Sequence, residues 1–589
     1  MGNSGALWAG TMSEPDPAPF PIDHVHLRGR AEDVALADAA GCWTFAELEA
    51  AVGATAGWLA RQGLALGDRV ASWLPKTRAA CVLPLAVARA GLVHVPVNPL
   101  LRRGQVGHIL ADSGARRLVT QEARAGTLET ADVPDGCAVV DESALPLTSP
   151  RQGPGFSQVA TGGEHATSNT TGTCPRPSPE WREPKSAEAE QPPSSADPDA
   201  LAAILYTSGS TGLPKGVMLS HANLWLGAIS VAWYLKLSPH DRVLGVLPLS
   251  FDYGQNQLFS TWAAGASVTP LDYLTPKDVV RAAERFGATT LAGVPPLWMQ
   301  LLEARWPKEV ADGLKRLTNS GGALTPRLVR GLRERFPAAD LYAMYGLTEA
   351  FRSTYLEPQL IDAHPDAIGR AIPFAQVMAV RPDGSRADPS EPGELVHAGP
   401  LVAKGYWRDP ERTALRFRPA PGWSRYGGTA VWSGDTVVEG RDGLFRFVGR
   451  DDDMIKSAGN RLSPAEIEKA VLAGGEACEA IAMGVPDERL GQAITVVLAG
   501  DPAREAGLRA RLRAELPSFM QPGRYLWRDA LPRNANGKLD RAGMRREVLA
   551  PPEAGVEEET AKSSGEGALP SDGMGVSLDH PSRGQGFQS

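Results

Sequence analysis

The chain has 589 residues, 43% of them apolar and 22% charged, with a formal net charge of −8. That length exceeds what one compact core organises and sets an expectation of two to four domains. The acidic balance, with basic residues scattered rather than striped, argues against a nucleic-acid partner. Five widely spaced cysteines without a CxxC pair indicate neither a zinc site nor a disulfide framework, and a cytoplasmic location fits them best.

Residues 1–18 form a polar, proline-containing tail that lacks the basic and apolar regions of a signal peptide. From residue 19 the pattern alternates. Apolar residues recur at helical spacing through "FAELEAAVGATAGWLARQG" (45–63), and "DRVASWL" (68–74) follows as a strand. The apolar window "CVLPLAVARAGLVHVPVNPL" (81–100) is broken by Arg89, His94 and three prolines, so it divides into a buried helix and a strand, and no integral membrane segment is expected. Residues 147–199 are rich in Ser, Thr, Pro and Gly with almost no apolar periodicity, and are expected to be a disordered insertion; 551–589 has the same character. Strands resume at 201–206, 242–249, 266–271 and 289–296, with helices at 277–286 and 326–336. After Gly449 come a helix at 464–473, a strand at 494–499 and a helix at 503–516. The expected architecture is α/β, with a large domain over 19–448 and a small α+β cap over 449–550.

The chemistry concentrates first in "YTSGSTGLPKG" (206–216). Thr207, Ser208, Ser210 and Thr211 offer hydroxyls, Gly209 and Gly212 let backbone approach a ligand, and Lys215 adds a mobile charge. Such a donor-rich loop after an apolar strand suits a polyanion, most simply a triphosphate. It is not a Walker A loop, because Lys215 follows Pro214 and precedes Gly216, which disfavours a kinase or P-loop ATPase. In "YGLTE" (345–349), Tyr345 offers a face for a base, Thr348 a hydroxyl for a phosphate and Glu349 a hard carboxylate for Mg²⁺. "SGGAL" (320–324) is a small-residue turn, and Asp435 of "SGD" carries the acceptor pair that two ribose hydroxyls need.

Together with "GRDDDMIKSAGNRLSPAEIE" (449–468) and "LPRNANGKLDR" (531–541), these stretches resemble, in order, the motifs of the AMP-forming adenylating enzymes: acyl-CoA synthetases, peptide-synthetase adenylation domains and beetle luciferases. The likeness covers roughly residues 20–548. It is greatest to the acyl-CoA synthetases, and within them to ligases found beside bacterial exosortase systems. The resemblance implies ATP, Mg²⁺ and CoA as cofactors and two half-reactions, acyl-adenylate formation and thioester formation. It places the adenine against Gly322 and Ala323, Arg450 on ribose or phosphate, and a hinge at Asp452. It assigns Lys456 and Gly459 to the loop that reaches the thiol, and makes Lys538 the catalytic lysine, acting with Thr348 and Glu349. "GELVHAGPLVAKGYW" (393–407) matches a family strand and loop and is given a structural role.

The acyl pocket of such enzymes falls at "PLSFDYGQNQ" (248–257), which brings in Phe251 and Asp252, with Trp298 as an apolar wall. A buried Asp252 needs a cation or a donor. Two enzyme readings therefore stand: a fatty or aryl acyl-CoA ligase, or an amino-acid adenylating enzyme that loads a carrier-protein phosphopantetheine. The partners implied are a small carboxylic acid and either CoA or an acyl carrier protein. A third reading makes the chain an assembly partner that docks through 147–199.

Overall fold

The computed structural model describes residues 15–147, 191–207, 214–322, 324, 326–450, 455–462, 464–532 and 539–550. Local signals set many of its elements. Thr44 and Glu47 form a reciprocal cap that starts the helix Phe45–Ala60, the Glu47 N–H donating to Thr44 Oγ1 at 3.2 Å and the Thr44 N–H to Glu47 Oε2 at 2.8 Å. Ser220 and Asn223 start His221–Tyr234 in the same way. The window at 81–100 resolves into the helix Arg78–Arg89 and the strand Val93–Pro96. Among the described residues, no helix is long and apolar enough to cross a membrane.

Three sheets organise the chain. One runs in the order Ala138–Asp141, Ala115–Thr120, Arg69–Trp73, Val93–Pro96, Leu201–Thr207 and Lys215–Ser220, parallel except for its last pair. A 14-stranded sheet has a parallel centre: Val34–Asp38, Ser267–Pro270, Arg242–Gly245, Thr290–Gly293, Arg316–Asn319 and Asp340–Tyr345. It continues antiparallel through Thr354–Leu356, Ala367–Ala371, Phe445–Arg450, Thr429–Glu439, Pro392–Ala398 and Gln376–Val380. Four helices, Phe45–Ala60, Arg78–Arg89, His221–Tyr234 and Asp252–Ala263, share one apolar core with both sheets, contributing Leu48, Leu83, Trp225 and Trp262 beside Leu36, Leu205 and Tyr342. This places the start of Asp252–Ala263 near the ends of strands from the larger sheet.

The third sheet is the small domain. Ala477–Asp487 pairs antiparallel with Gly491–Gly500, flanked by Ile455–Ser457, Asn460–Leu462 and Arg524–Arg528. The helices Pro464–Leu472 and Glu505–Glu515 cover it through Ile467, Val471, Leu508 and Leu512. The mixed α/β class with a large N-terminal and a small C-terminal domain is thus the observed one.

Two expectations need adjustment. Cys42 is disulfide-bonded, where no disulfide was indicated, while Cys81, Cys137 and Cys478 are free thiols. The polar segment at 147–199 is anchored at its far end. The Ser194 N–H and Oγ–H donate to Asp23 at 2.9 and 2.7 Å, and the Gln191 N–H donates to the Gly53 carbonyl. Asp23 also pairs with Arg89, and neither side chain is exposed. A buried ion pair recruits every nearby donor, and Ser194 supplies two. Residues 148–190 lie outside the described residues.

Candidate active site

The phosphate-loop candidate joins two antiparallel strands. Thr207 ends Leu201–Thr207, Lys215 begins Lys215–Ser220, and the two residues are register partners. Ser208, Gly209, Ser210, Thr211 and Gly212 lie between them, outside the described residues. Beside this hairpin, "GYW" attaches as a further extended segment. The Trp407 N–H donates to the Gly216 carbonyl at 2.7 Å, and the Met218 N–H to the Gly405 carbonyl at 2.9 Å.

That docking assembles a charged cluster. Lys215 Nζ donates to Glu349 Oε1 at 2.9 Å and to the Tyr406 hydroxyl at 2.6 Å. The Tyr406 hydroxyl in turn donates to Glu349 Oε1 at 2.7 Å. The ammonium also lies 4.1 Å from the Tyr406 ring centroid. Glu349 is 6% exposed and Tyr406 3%. A buried carboxylate needs such partners. Lys215 and Glu349 are 134 residues apart in sequence. Tyr406, given only a structural role from its motif, is the part that sequence reasoning missed. Its partners are 191 and 57 residues away, so no local pattern marks it.

Glu349 sits in the short turn Thr348–Ala350, which follows the strand Asp340–Tyr345. The next residue, Phe351, has φ 61°, rarely adopted by a bulky side chain, and is fully buried. Gly227 makes this possible, since a Cβ there would lie 2.2 Å from the Phe351 ring. The reversal returns the chain so that the Ser353 N–H donates to the Tyr345 carbonyl at 3.0 Å.

Tyr345 and Asp435, from different strands, meet directly: the Tyr345 hydroxyl donates to Asp435 Oδ2. Asp435 is 4% exposed, its N–H donates to Ser433 Oγ, and its register partner is Arg450. Gly322 lies in the turn after Arg316–Asn319, where its carbonyl accepts from Asn319 Nδ2 at 2.9 Å. Ala323, Asp452 and Lys538, and the side chain of Arg450, lie outside the described residues.

The small domain reaches this region. Lys456 is in Ile455–Ser457, 4.5 Å from the Phe447 ring centroid. Gly459 has φ +78°, and a Cβ there would stand 2.9–3.0 Å from the Val294 side chain. Nearby, Gln105 Nε2 donates to Glu466 Oε1 at 2.7 Å across the two domains.

In the acyl region, Phe251 precedes Asp252, the first residue of Asp252–Ala263. Burial pushes the Asp252 carboxyl above the usual carboxylate range, partly offset by the Arg352 charge. The structure brings Asp252 within electrostatic reach of Arg352 and Glu349. None of Phe251, Asp252 and Trp298 lines the cleft formed by Tyr253, Asn256, Gln257, Thr318 and Arg352. Trp298 is fully buried in the apolar core of the larger sheet, its indole against Gly293.

Two sheets with parallel centres packed on shared helices, a buried Lys–Glu–Tyr cluster and a small second domain define a two-domain α/β protein. Residues 24–407 match the family described as AMP-binding enzyme, and 466–538 match the AMP-binding enzyme C-terminal domain, so the chain belongs to the AMP-binding enzyme family. It is similar to feruloyl-CoA synthase of an Amycolatopsis species, 32% identical over 85% of this chain and 93% of that one. It is similar also to the L-proline–[L-prolyl-carrier protein] ligase of Pseudomonas fluorescens, 29% identical over 87% of this chain and 96% of that one. Among solved structures it resembles Bacillus subtilis o-succinylbenzoate CoA synthetase. A double mutant of that enzyme bound to a product analogue gives a TM-score of 0.74 at 25% identity, covering 90% of this chain and 99% of that one. The same enzyme with its acyl-adenylate intermediate gives 0.61 at 25% identity, over 90% and 98%.

Proposed function

We propose that the chain is an ATP-dependent acid–thiol ligase. It converts a carboxylic acid to an acyl-adenylate with release of pyrophosphate, then the CoA thiol attacks the acyl carbon, the bond to the AMP phosphate oxygen breaks, and AMP leaves. The observation that carries this reading is the meeting of Lys215, Glu349 and Tyr406 beside the Tyr345–Asp435 pair, in a chain that matches both domains of the AMP-binding family.

In this reading Thr207, Lys215 and the 208–212 segment bind the phosphates of ATP, Gly322 and Ala323 lie against the adenine, and Tyr345 stacks on it. Asp435 accepts the ribose hydroxyls, and Arg450 contacts ribose or phosphate. The acid's carboxylate oxygen attacks the α-phosphorus, the bond to the β-phosphate oxygen breaks, and pyrophosphate leaves. Thr348 and Lys538 offset the charge that develops there. Among the described residues no three His, Cys, Asp or Glu side chains cluster around a cation. The buried Glu349 oxygen is a hard donor that suits Mg²⁺, which takes its remaining ligands from phosphates and water. Bound there, Mg²⁺ would neutralise phosphate charge.

The small domain, taken as 449–550, then turns about Asp452 to present the loop with Lys456 and Gly459 to the thiol. The seat of Gly459 against Val294, and the higher TM-score to the product-analogue complex than to the adenylate complex, support the described arrangement as the one for thioester formation. The likeness to a prolyl-carrier protein ligase, and Asp252 at the head of its helix, favour a second reading: an amino acid as substrate and a carrier-protein phosphopantetheine as acceptor. A cytoplasmic site of action accords with ATP and CoA as co-substrates.

The test is acid-dependent ATP–pyrophosphate exchange, followed by thioester trapping with CoA or a phosphopantetheinylated carrier protein. Exchange and a CoA thioester establish the first reading. Exchange with amino acids and loading of the carrier alone establish the second. No exchange with any acid, with ATP still bound, refutes both and leaves a binding scaffold.

A further inference from the structure

The helix Asp252–Ala263 carries three consecutive amides, Gln255, Asn256 and Gln257, all buried. Gln255 Oε1, Asn256 Oδ1 and both polar atoms of the Gln257 side chain have no hydrogen-bond partner among the described residues. Buried amides are nearly always paired, so a run of three that is not requires an explanation. Asn256 and Gln257 line a narrow cleft with Ser260, Thr318 and Arg352 and with apolar side chains such as Val231 and Met344, and its open space of about 20 Å³ is room for about one water, so an acid enters only as these side chains move apart.

Arg352 is the informative member. It is 2% exposed. Its Nη1 donates to Ser320 Oγ at 3.0 Å, and its guanidinium carbon lies 4.7 Å from the Tyr253 ring centroid. Nε has no partner, and no carboxylate of the described residues stands within ion-pair distance. The side chain folds back over the "YGLTE" turn, where a Cβ on Gly346 would lie 3.2 Å from Arg352 Cδ. Water can satisfy the neutral amides. It does not replace a counter-charge for a guanidinium, which stays protonated at any physiological pH. The nearest acidic influences are Asp252, which Arg352 reaches only through space, and Glu349, which is already held by Lys215 and Tyr406.

We propose that the acid activated by this enzyme carries a second, non-reacting carboxylate that pairs with Arg352 in the cleft, where Asn256 and Gln257 hydrogen-bond the intervening chain. This rests on the adenylation reading and narrows its substrate to a dicarboxylic acid. The reacting carboxylate lies toward Glu349, three residues before Arg352, and the second carboxylate lies toward the guanidinium. The same chemistry is offered by a plain diacid and by an amino diacid, whose ammonium would meet Asp252. A long-chain fatty acid or an unsubstituted aryl acid would find apolar wall at Val231, Leu235 and Met344 but would bury the guanidinium without a counter-charge.

The test is ATP–pyrophosphate exchange by the full chain over chain-matched sets: pentanoate, glutarate and glutamate, then hexanoate, adipate and 2-aminoadipate. One of the diacids in a set should exceed its monoacid by about 30-fold or more in kcat/KM, the scale of losing one partner of a buried charge pair. Either diacid leading supports the proposal, and an amino diacid leading also assigns Asp252 to the ammonium. In Arg352→Gln the diacid's KM should rise and the gap between diacid and monoacid should close, with Arg352→Lys intermediate. Monoacids that match or exceed the diacids in the wild type overturn the proposal while adenylation stands, and that comparison needs no variant to fold. Equal losses on both acids in Arg352→Gln also overturn it, and would assign the guanidinium to the reacting carboxylate or the α-phosphate. Exchange with no acid at all defeats the adenylation reading and this inference with it.

Discussion

Removing one oxygen from Tyr406 tests the charged cluster directly. In Tyr406→Phe the ring that faces the Lys215 ammonium at 4.1 Å remains, and so does the direct Lys215–Glu349 contact at 2.9 Å. What is lost is the hydroxyl that accepts from Lys215 at 2.6 Å and donates to Glu349 at 2.7 Å. A hydrogen bond to a charged group contributes about 1.5–3 kcal/mol. Because the ion pair persists and relaxes into the gap, the lower end of that range is expected. A loss of about 1.4 kcal/mol is about tenfold in rate. Exchange kcat/KM should therefore fall about tenfold, most visibly at low Mg²⁺, since the phenol fixes the Glu349 carboxylate. The control is Tyr342→Phe. Tyr342 is 1% exposed and its hydroxyl has no partner among the described residues, so its removal should be neutral or stabilising. A Tyr406→Phe enzyme within twofold of wild type at limiting Mg²⁺, or a Tyr342→Phe enzyme equally impaired, would refute the reasoning.

Other outcomes follow from other parts of the fold. Gly459→Ala puts a Cβ 2.9–3.0 Å from the Val294 side chain at φ +78°, so thioester formation from a supplied acyl-adenylate should slow more than pyrophosphate exchange; equal slowing in single-turnover assays counts against a thiol-side role. Deleting residues 191–197 removes both Ser194 bonds to the buried Asp23 and should lower the melting temperature by several degrees; melting curves indistinguishable from the full chain's would discount that anchor. Burial holds His94 and His397 down to about 3, against 6.5 when unfolded, so below pH 6.5 only the unfolded chain takes up these protons. Their stability contribution is complete above pH 6.5 and falls with pH toward 3, by up to about 1.4 kcal/mol per pH unit for each histidine. Urea midpoints at pH 7.5, 6 and 5 measure this, and a flat series contradicts it.

The parallel strands were legible because both their faces are covered, so each is a continuous apolar run: "LAAILY", "RVLGVLPL" and "TTLAGVPP" gave Leu201–Thr207, Arg242–Gly245 and Thr290–Gly293. The longest strand of the small domain, Ala477–Asp487, was not legible. Its "ACEAIAMGVPD" is rich in weak strand formers, and the strand exists because Gly491–Gly500 pairs along its whole length. Pairing itself is hidden from local pattern. Leu36 sits opposite Val268, and only the closed core decides that. The donors and acceptors at 207, 215, 345 and 349 were legible because each sits at or just beyond a strand end, where apolar residues give way abruptly to Gly, Thr and acid; Asp435, inside Thr429–Glu439, was read only from its "SGD" motif.

Charge pairing explains why one half of the site could be read and the other could not. In the proposed nucleotide half, Lys215 and Glu349 neutralise each other, and Tyr345 and Asp435 satisfy each other. Such residues can wait without ligand at little cost, and each announces itself in a short motif of donors and acceptors. In the proposed acid half, Asp252 lies within electrostatic reach of Arg352 without forming an ion pair, and the amides of Asn256 and Gln257, which line the cleft with Arg352, are unmatched. No motif marks such a set, because each residue is ordinary in its own segment. Arg352 follows "YGLTEAF" as one more charged residue, and "GQNQ" resembles any polar helix face. Only when the helix Asp252–Ala263 is packed between two sheets does polarity at those positions become costly. A fold that keeps costly groups in a cleft beside its catalytic cluster has placed its selectivity there. Selectivity for a charged acid follows from the identity of the costliest member, the guanidinium of Arg352.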